Sequence, residues 1–87
     1  MEFYFSGTIE RIIFENPSSF FRILLLNIDD TDADFDDFEI IVTGTMADIM
    51  EGEDYTFWGN LVQHPKYGEQ LKITRYERAK ATTNYPL

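Results

Sequence analysis

The sequence contains no cysteine, one histidine and three prolines in 87 residues. Without thiols neither a disulfide framework nor a thiolate metal site can hold the fold, so packing must do so; a reducing compartment is permitted. With a single imidazole, no zinc site or Cys-His nucleophile pair can be assembled. Basic residues are scarce as well. Seven Lys and Arg against sixteen Asp and Glu leave a formal charge of −9, which opposes phosphate binding through released counterions. No run approaches the ~20 apolar residues of a membrane span, and Met1 is not followed by a basic segment and an apolar one. A cytoplasmic location with no membrane partner is expected. The phosphate-cradling pattern Gly-x-x-x-x-Gly-Lys-Ser/Thr is missing too, so no ATP chemistry is expected from these residues.

What the chain does have is apolar surface: 44% of residues are hydrophobic and 16% aromatic, more than a disordered acidic polypeptide carries. A chain this short supports one core. Its charge is unevenly spread. Asp29, Asp30, Asp32, Asp34, Asp36, Asp37 and Glu39 account for seven of the sixteen acids, leaving nine acids against seven basic residues elsewhere. This stretch has no apolar period, and Asp29 to Asp37 is expected to be a solvated, mobile loop that folding can dispense with. Asp30-x-Asp32-x-Asp34 resembles the start of a calcium loop, but Phe35 stands where glycine is needed and Ile41 where a bidentate glutamate is needed, which excludes an EF-hand.

Alternation predicts five strands. In the first, Phe3 to Phe14, one face carries Phe3, Phe5, Gly7, Ile9 and Ile13. Asn16-Pro17-Ser18-Ser19 then turns the chain into a second strand, Phe20 to Ile28, which is apolar on both faces and leaves its inward side undecided. Phe38 to Thr43 is the third. Met46, Ile49 and Met50 fall at i, i+3 and i+4, so a short helical turn closed by Gly52 is expected to plug one end. The fourth strand, Asp54 to Val62, puts Tyr55, Phe57 and Leu61 inward, with Gly59 marking a bend or bulge. A hairpin at His64-Pro65-Lys66-Tyr67-Gly68 leads to the fifth, Gln70 to Arg78, with Leu71 and Ile73 inward and Lys72, Thr74 and Tyr76 outward.

Three strands, a helical turn and two more strands are the order of a five-stranded Greek-key OB barrel. An SH3-like barrel is the nearest rival and would normally lack the helical turn. The expected domain is residues 1–78, followed by a flexible tail, residues 79–87. The expected core is Ile9, Ile13, Leu24, Phe57, Leu61, Leu71 and Ile73, capped by Met46, Ile49 and Met50.

Three stretches carry a family resemblance: Gly7-Thr8-Ile9-Glu10-Arg11-Ile12-Ile13-Phe14-Glu15-Asn16, then Val42-Thr43-Gly44, then Gly59 to Ile73 with His64-Pro65-Lys66-Tyr67-Gly68 at its centre. Together they resemble the N-terminal OB domain of RecD-like ATP-dependent DNA helicases, related to the exodeoxyribonuclease V alpha subunit. The similarity spans roughly residues 5–78. The chain departs from that family in its long acidic connection and in having Ser19-Phe20 where Asn-Gly is common. The resemblance implies an accessory domain of a 5′ to 3′ helicase of recombination and repair, with the helicase body of the same chain as its partner. The domain itself would be no enzyme and would hold no cofactor; ATP and magnesium would belong to the motor.

Two readings of the surface stay open. Trp58, Lys72, Tyr76 and Arg78, with Lys66 and Tyr67 in the hairpin, interleave rings and cations as single-stranded DNA binding requires. The same residues could instead pair across strands, rings packing on rings and charges facing solvent. His64, followed by proline, reads as a turn residue rather than a ligand. The functional alternatives are accordingly a docking or DNA-path-shaping module and a direct single-stranded DNA grip.

Overall fold

The computed structural model describes residues 1–79. Five strands form: β1 (Phe3–Glu15), β2 (Phe21–Thr31), β3 (Glu39–Thr45), β4 (Asp54–His64) and β5 (Gly68–Arg78). They close into a barrel in the order β1-β2-β3-β5-β4, with β1 antiparallel to both β2 and β4 and only β3 and β5 parallel. The five-stranded barrel expected from alternation is therefore present. The proposed tail lies outside the described residues except for Ala79, whose N–H donates to the Asp54 carbonyl.

Inside, Phe5, Ile9, Leu24, Leu26, Val42, Tyr55, Phe57 and Leu71 are buried. Each such side chain contributes about 1.5–3 kcal/mol relative to exposure. Four of the seven expected core residues, Ile9, Leu24, Phe57 and Leu71, are among them, while Leu61 and Ile73 pack against the core from its margin. Ile13 does not. It is 47% exposed, because β1 shifts register between Ile9 and Arg11 and again between Ile12 and Phe14. The first inserts Glu10 and reverses which side chain faces in, so Ile12 takes the inward position, and at the second Ile13 is itself the extra residue.

No helix forms among the described residues, and the helical turn expected between β3 and β4 is a pair of bends and a turn. The barrel claims the backbone groups that a helix would have used. The Met46 N–H donates to the Phe20 carbonyl, the Ala47 N–H to the Tyr76 hydroxyl, and the Met50 N–H to the Tyr55 hydroxyl, which itself donates to the Asp48 carbonyl. The carbonyls of Met46 and Ala47 accept from the Arg22 guanidinium. Side-chain partners of this kind compete directly with helical hydrogen bonds. Met46 and Ile49 are nevertheless buried and close that end, whereas Met50 is 58% exposed.

The acidic stretch is also more structural than its composition suggests. β2 runs on to Thr31, whose hydroxyl donates to the Tyr4 carbonyl. Asp32 accepts from the Tyr4 N–H, and Asp30 from the Tyr4 hydroxyl. Phe35 packs edge-on against Phe5, ring centroids 5.5 Å apart, and joins Ala33 against the core.

Candidate ligand face

The six residues singled out for DNA contact are dispersed by the barrel. Trp58 sits on the outer side of β4 opposite Arg75 of β5, whose guanidinium lies 3.6 Å from the indole centroid. That cation–π stack covers one face of the ring. Arg78, at the end of β5, pairs with Glu53 at 3.0 Å. Lys72 is exposed beside Thr43 of β3 and Asn60 of β4. Lys66 lies 5.4 Å from the Tyr67 ring centroid in the β4–β5 hairpin.

Tyr76 belongs to the interior, contrary to the alternation. Trp58 pairs with Arg75 and Gly59 with Ile73, so Thr74 is skipped. This bulge reverses the phase of β5 and turns Arg75 outward and Tyr76 inward. The Tyr76 ring stacks on Phe57 with centroids 6.2 Å apart. Its hydroxyl donates to the Asp48 carboxylate and accepts from the Ala47 N–H. Burial, then the bond to Asp48, holds its pKa above the usual value of about 10. Such a ring fastens the β3–β4 connection to the barrel.

A second surface is more continuous. On β2 and β3, Leu24, Leu26, Ile40 and Val42 point in, so Ile23, Leu25, Ile41 and Thr43 point out, with Leu25 opposite Ile41 and Ile23 opposite Thr43. Ile13 and Phe14 extend this face from β1, Phe14 lying opposite Ile23. Tyr67, 63% exposed, overhangs it from the β4–β5 hairpin. Together Ile13, Ile23, Ile41, His64, Tyr67 and Gln70 line a concavity of about 380 Å³. A neighbouring one of about 570 Å³ shares Ile41 and Tyr67 and is edged by Asp37, Glu39 and Glu69.

His64 sets the shape of this rim. Its Nδ1 accepts from the N–H groups of Lys66 and Tyr67 at 3.1 and 3.2 Å, which places the neutral ring's proton on Nε2. Its ring lies 4.9 Å from that of Tyr67. The histidine is thus a turn residue that positions an aromatic neighbour. Among the described residues no three His, Cys, Asp or Glu side chains form a group able to hold a metal ion, and no helix is long and apolar enough to cross a membrane, which says nothing of a β-barrel.

Barrel order, the β4–β5 hairpin and the outer β2–β3 face together describe an OB-fold, which commonly receives its ligand on strands two and three between the β1–β2 and β4–β5 loops. A family model for the OB-fold domain of the ATP-dependent DNA helicase YrrC matches residues 2–81. The chain belongs to this family. No solved structure matches it. As an OB-fold domain of the YrrC helicase family, it keeps the usual ligand face but lines it mainly with aliphatic side chains. Alternation did not find Ile13 or Arg75, both set by bulges. The one available signal for the β2–β3 face was that strand two is apolar on both sides.

Proposed function

We propose that this accessory domain docks on protein, in the first instance a helicase body, and through it shapes the path of DNA during recombination and repair in a RecD-like 5′ to 3′ helicase. The observation that carries this reading is the outer β2–β3 face. Ile13, Ile23, Leu25 and Ile41 form an aliphatic surface bordered by Asp37, Glu39 and Glu69. Clustered apolar surface with a polar rim suits a protein interface. Single-stranded DNA needs exposed rings alternating with cations. Of the cations on the β4–β5 side, Arg75 stacks on Trp58, Lys66 lies over Tyr67 and Arg78 pairs with Glu53. ATP and magnesium serve the motor, and this domain contributes no group to hydrolysis.

A second reading has one observation in its favour: Lys66, Tyr67 and Lys72 adjoin the same face and could hold a DNA strand weakly, with Trp58 and Arg78 farther along β4 and β5. Titrating fluorescently labelled single-stranded DNA at low and physiological salt separates the two. The expected result is no saturation by the isolated domain at either salt concentration. Saturable binding that weakens steeply with salt, and is lost on charge reversal at Lys72, would replace docking with direct DNA recognition.

A further inference from the structure

The β1–β2 hairpin contains one residue that the barrel alone does not account for. Phe20 has φ of 61° and is not a glycine. A bulky side chain in the left-handed region crowds its own carbonyl and is a strained choice. The conformation is held from both sides: the Phe20 N–H donates to the Asn16 carbonyl at 2.9 Å, and its carbonyl accepts from the Met46 N–H at 2.9 Å. Asn16 adds its side-chain oxygen, which accepts from the Ser18 N–H. The turn therefore demands this backbone geometry, and glycine or asparagine would meet the demand with less strain.

The phenyl ring recovers the cost inside the domain only in part, since Phe20 is 46% exposed. The same end of the barrel carries other uncovered apolar groups, Phe14 at 50%, Phe21 at 37% and Met50 at 58%. Phe14 and Phe21 touch, centroids 6.5 Å apart. Beside them Ile12, Ile13, Phe14 and Met50 line a concavity of about 620 Å³ whose charged members are Glu15 and Glu51. Of the two nearby cations, Arg11 is exposed on β1 and Arg22 is turned away from solvent. Its side chain is 15% exposed, and it is bound to Glu15 and to the carbonyls of Met46 and Ala47.

We propose that the Phe20 hairpin tip is an anchor that inserts into an apolar pocket flanked by Lys or Arg on a protein partner. This rests on the docking reading and adds its anchor residue and the chemistry of what it meets. Charge selects the occupant. Phosphates would find Glu15 and Glu51 against one exposed cation, Arg11, an anionic lipid surface would be opposed in the same way, and a second copy would bring another −9. A basic protein surface gains from both the rings and the carboxylates. Strain kept at an exposed ring is the signature of a residue retained for contact rather than for folding.

The test uses the 87-residue chain and three peptides: an amphipathic Leu/Lys helix, its Leu/Glu counterpart and a Ser/Lys control. Binding is followed by amide chemical shifts and by titration calorimetry. Leu/Lys should bind with shifts centred on Phe14 to Phe21 and Met50, and the other two should bind far more weakly. Phe20→Gly should raise the thermal midpoint and weaken Leu/Lys binding on the order of thirtyfold, the loss seen when an aromatic anchor is truncated. Phe20→Asn should behave alike. Equal binding by Phe20→Gly, equal binding of Ser/Lys or Leu/Glu, or a wild-type dimer in sedimentation that Phe20→Gly dissolves would each overturn the proposal. Weakening by Tyr67→Ala but not by Phe20→Gly would overturn the anchor while leaving the docking face intact. Only saturable single-stranded DNA binding reaches the docking reading itself.

Discussion

Replacing Gly7 by alanine tests how tightly the barrel is wound around β1. Gly7 is paired with Ile28 of β2 on one side and Tyr55 of β4 on the other. A Cβ built there would lie 1.8 Å from the Asn27 carbonyl oxygen, 2.8 Å from its carbon and 3.2 Å from the Ile28 Cα. Ordinary carbon–oxygen contacts begin near 3.3 Å, so β1 and β2 must part by roughly 1.5 Å. All three obstructing atoms are backbone and no rotamer change relieves them. Overpacking of this kind costs about 1–3 kcal/mol, and loosening one or two ladder hydrogen bonds adds about 1 kcal/mol each. The stiffer unfolded chain returns about 0.4–1 kcal/mol. The net loss is about 2–4 kcal/mol, a large share of the ~4–13 kcal/mol expected for a domain of this length. In urea, with a slope of about 1 kcal/mol/M, the midpoint should fall by roughly 2 M or more. Gly52→Ala is the reference. There φ is 83° and nothing lies within 4 Å of the added Cβ, so only the left-handed penalty of about 1–2 kcal/mol applies. A Gly7→Ala midpoint at or above that of Gly52→Ala would refute the close-approach argument.

Two other outcomes follow from packing and proton linkage. Phe35→Ala should lower stability by about 1–3 kcal/mol in urea unfolding, less than for a fully buried phenylalanine, because the ring packs on Phe5 but is not fully covered; no change would restore the acidic stretch to a dispensable loop. The Asp30 hydrogen bond raises the pKa of Tyr4, and burial followed by the Asp48 hydrogen bond raises that of Tyr76, each from about 10. As pH climbs past that value the unfolded phenols lose protons first, so stability is fully present below about pH 10 and declines above it. Thermal midpoints measured across the alkaline range should show this decline. It should be shallower in Tyr76→Phe, which also loses about 1 kcal/mol near neutrality through the missing bond to Asp48.

Element order was legible because β-branched and aromatic residues alternate between clear turns, and in β4 the inward positions of Tyr55 and Phe57 could be read directly. Alternation failed wherever a residue was inserted without a composition signal. Ile13 lies beyond one such irregularity, at Glu10, and Tyr76 beyond one at Thr74, and each therefore faces opposite to its place in the pattern. The spacing of Met46 and Ile49 identified the right plug but the wrong backbone, since the hydroxyls of Tyr55, on the next strand, and Tyr76, far along the chain, take hydrogen bonds from this segment. Phe35 was masked by the carboxylates around it. In the candidate site, the Lys66–Tyr67 hairpin was legible from His64-Pro65, whereas the β2–β3 face needed knowledge of which side of an all-apolar strand turns inward.

The order of strands around the barrel also dictates when it can form during synthesis. β1, β2 and β3 make a continuous meander that ends at Thr45, but β3 and β4 meet only through β5, which ends at Arg78. A ribosome adding about 5–20 residues per second takes roughly 2–7 s to cover that interval. Until β4 is made and pairs with β1, the meander leaves Phe5, Ile9, Leu24, Leu26 and Val42 uncovered, and the outer edge of β3 stays unpaired until β5 follows. Non-local closure of such sheets takes milliseconds to seconds once all parts are present, so the waiting time is set by the ribosome rather than by the chain. Chaperone dependence should therefore concentrate in that window, and the last strand to emerge acts as the keystone that ends it.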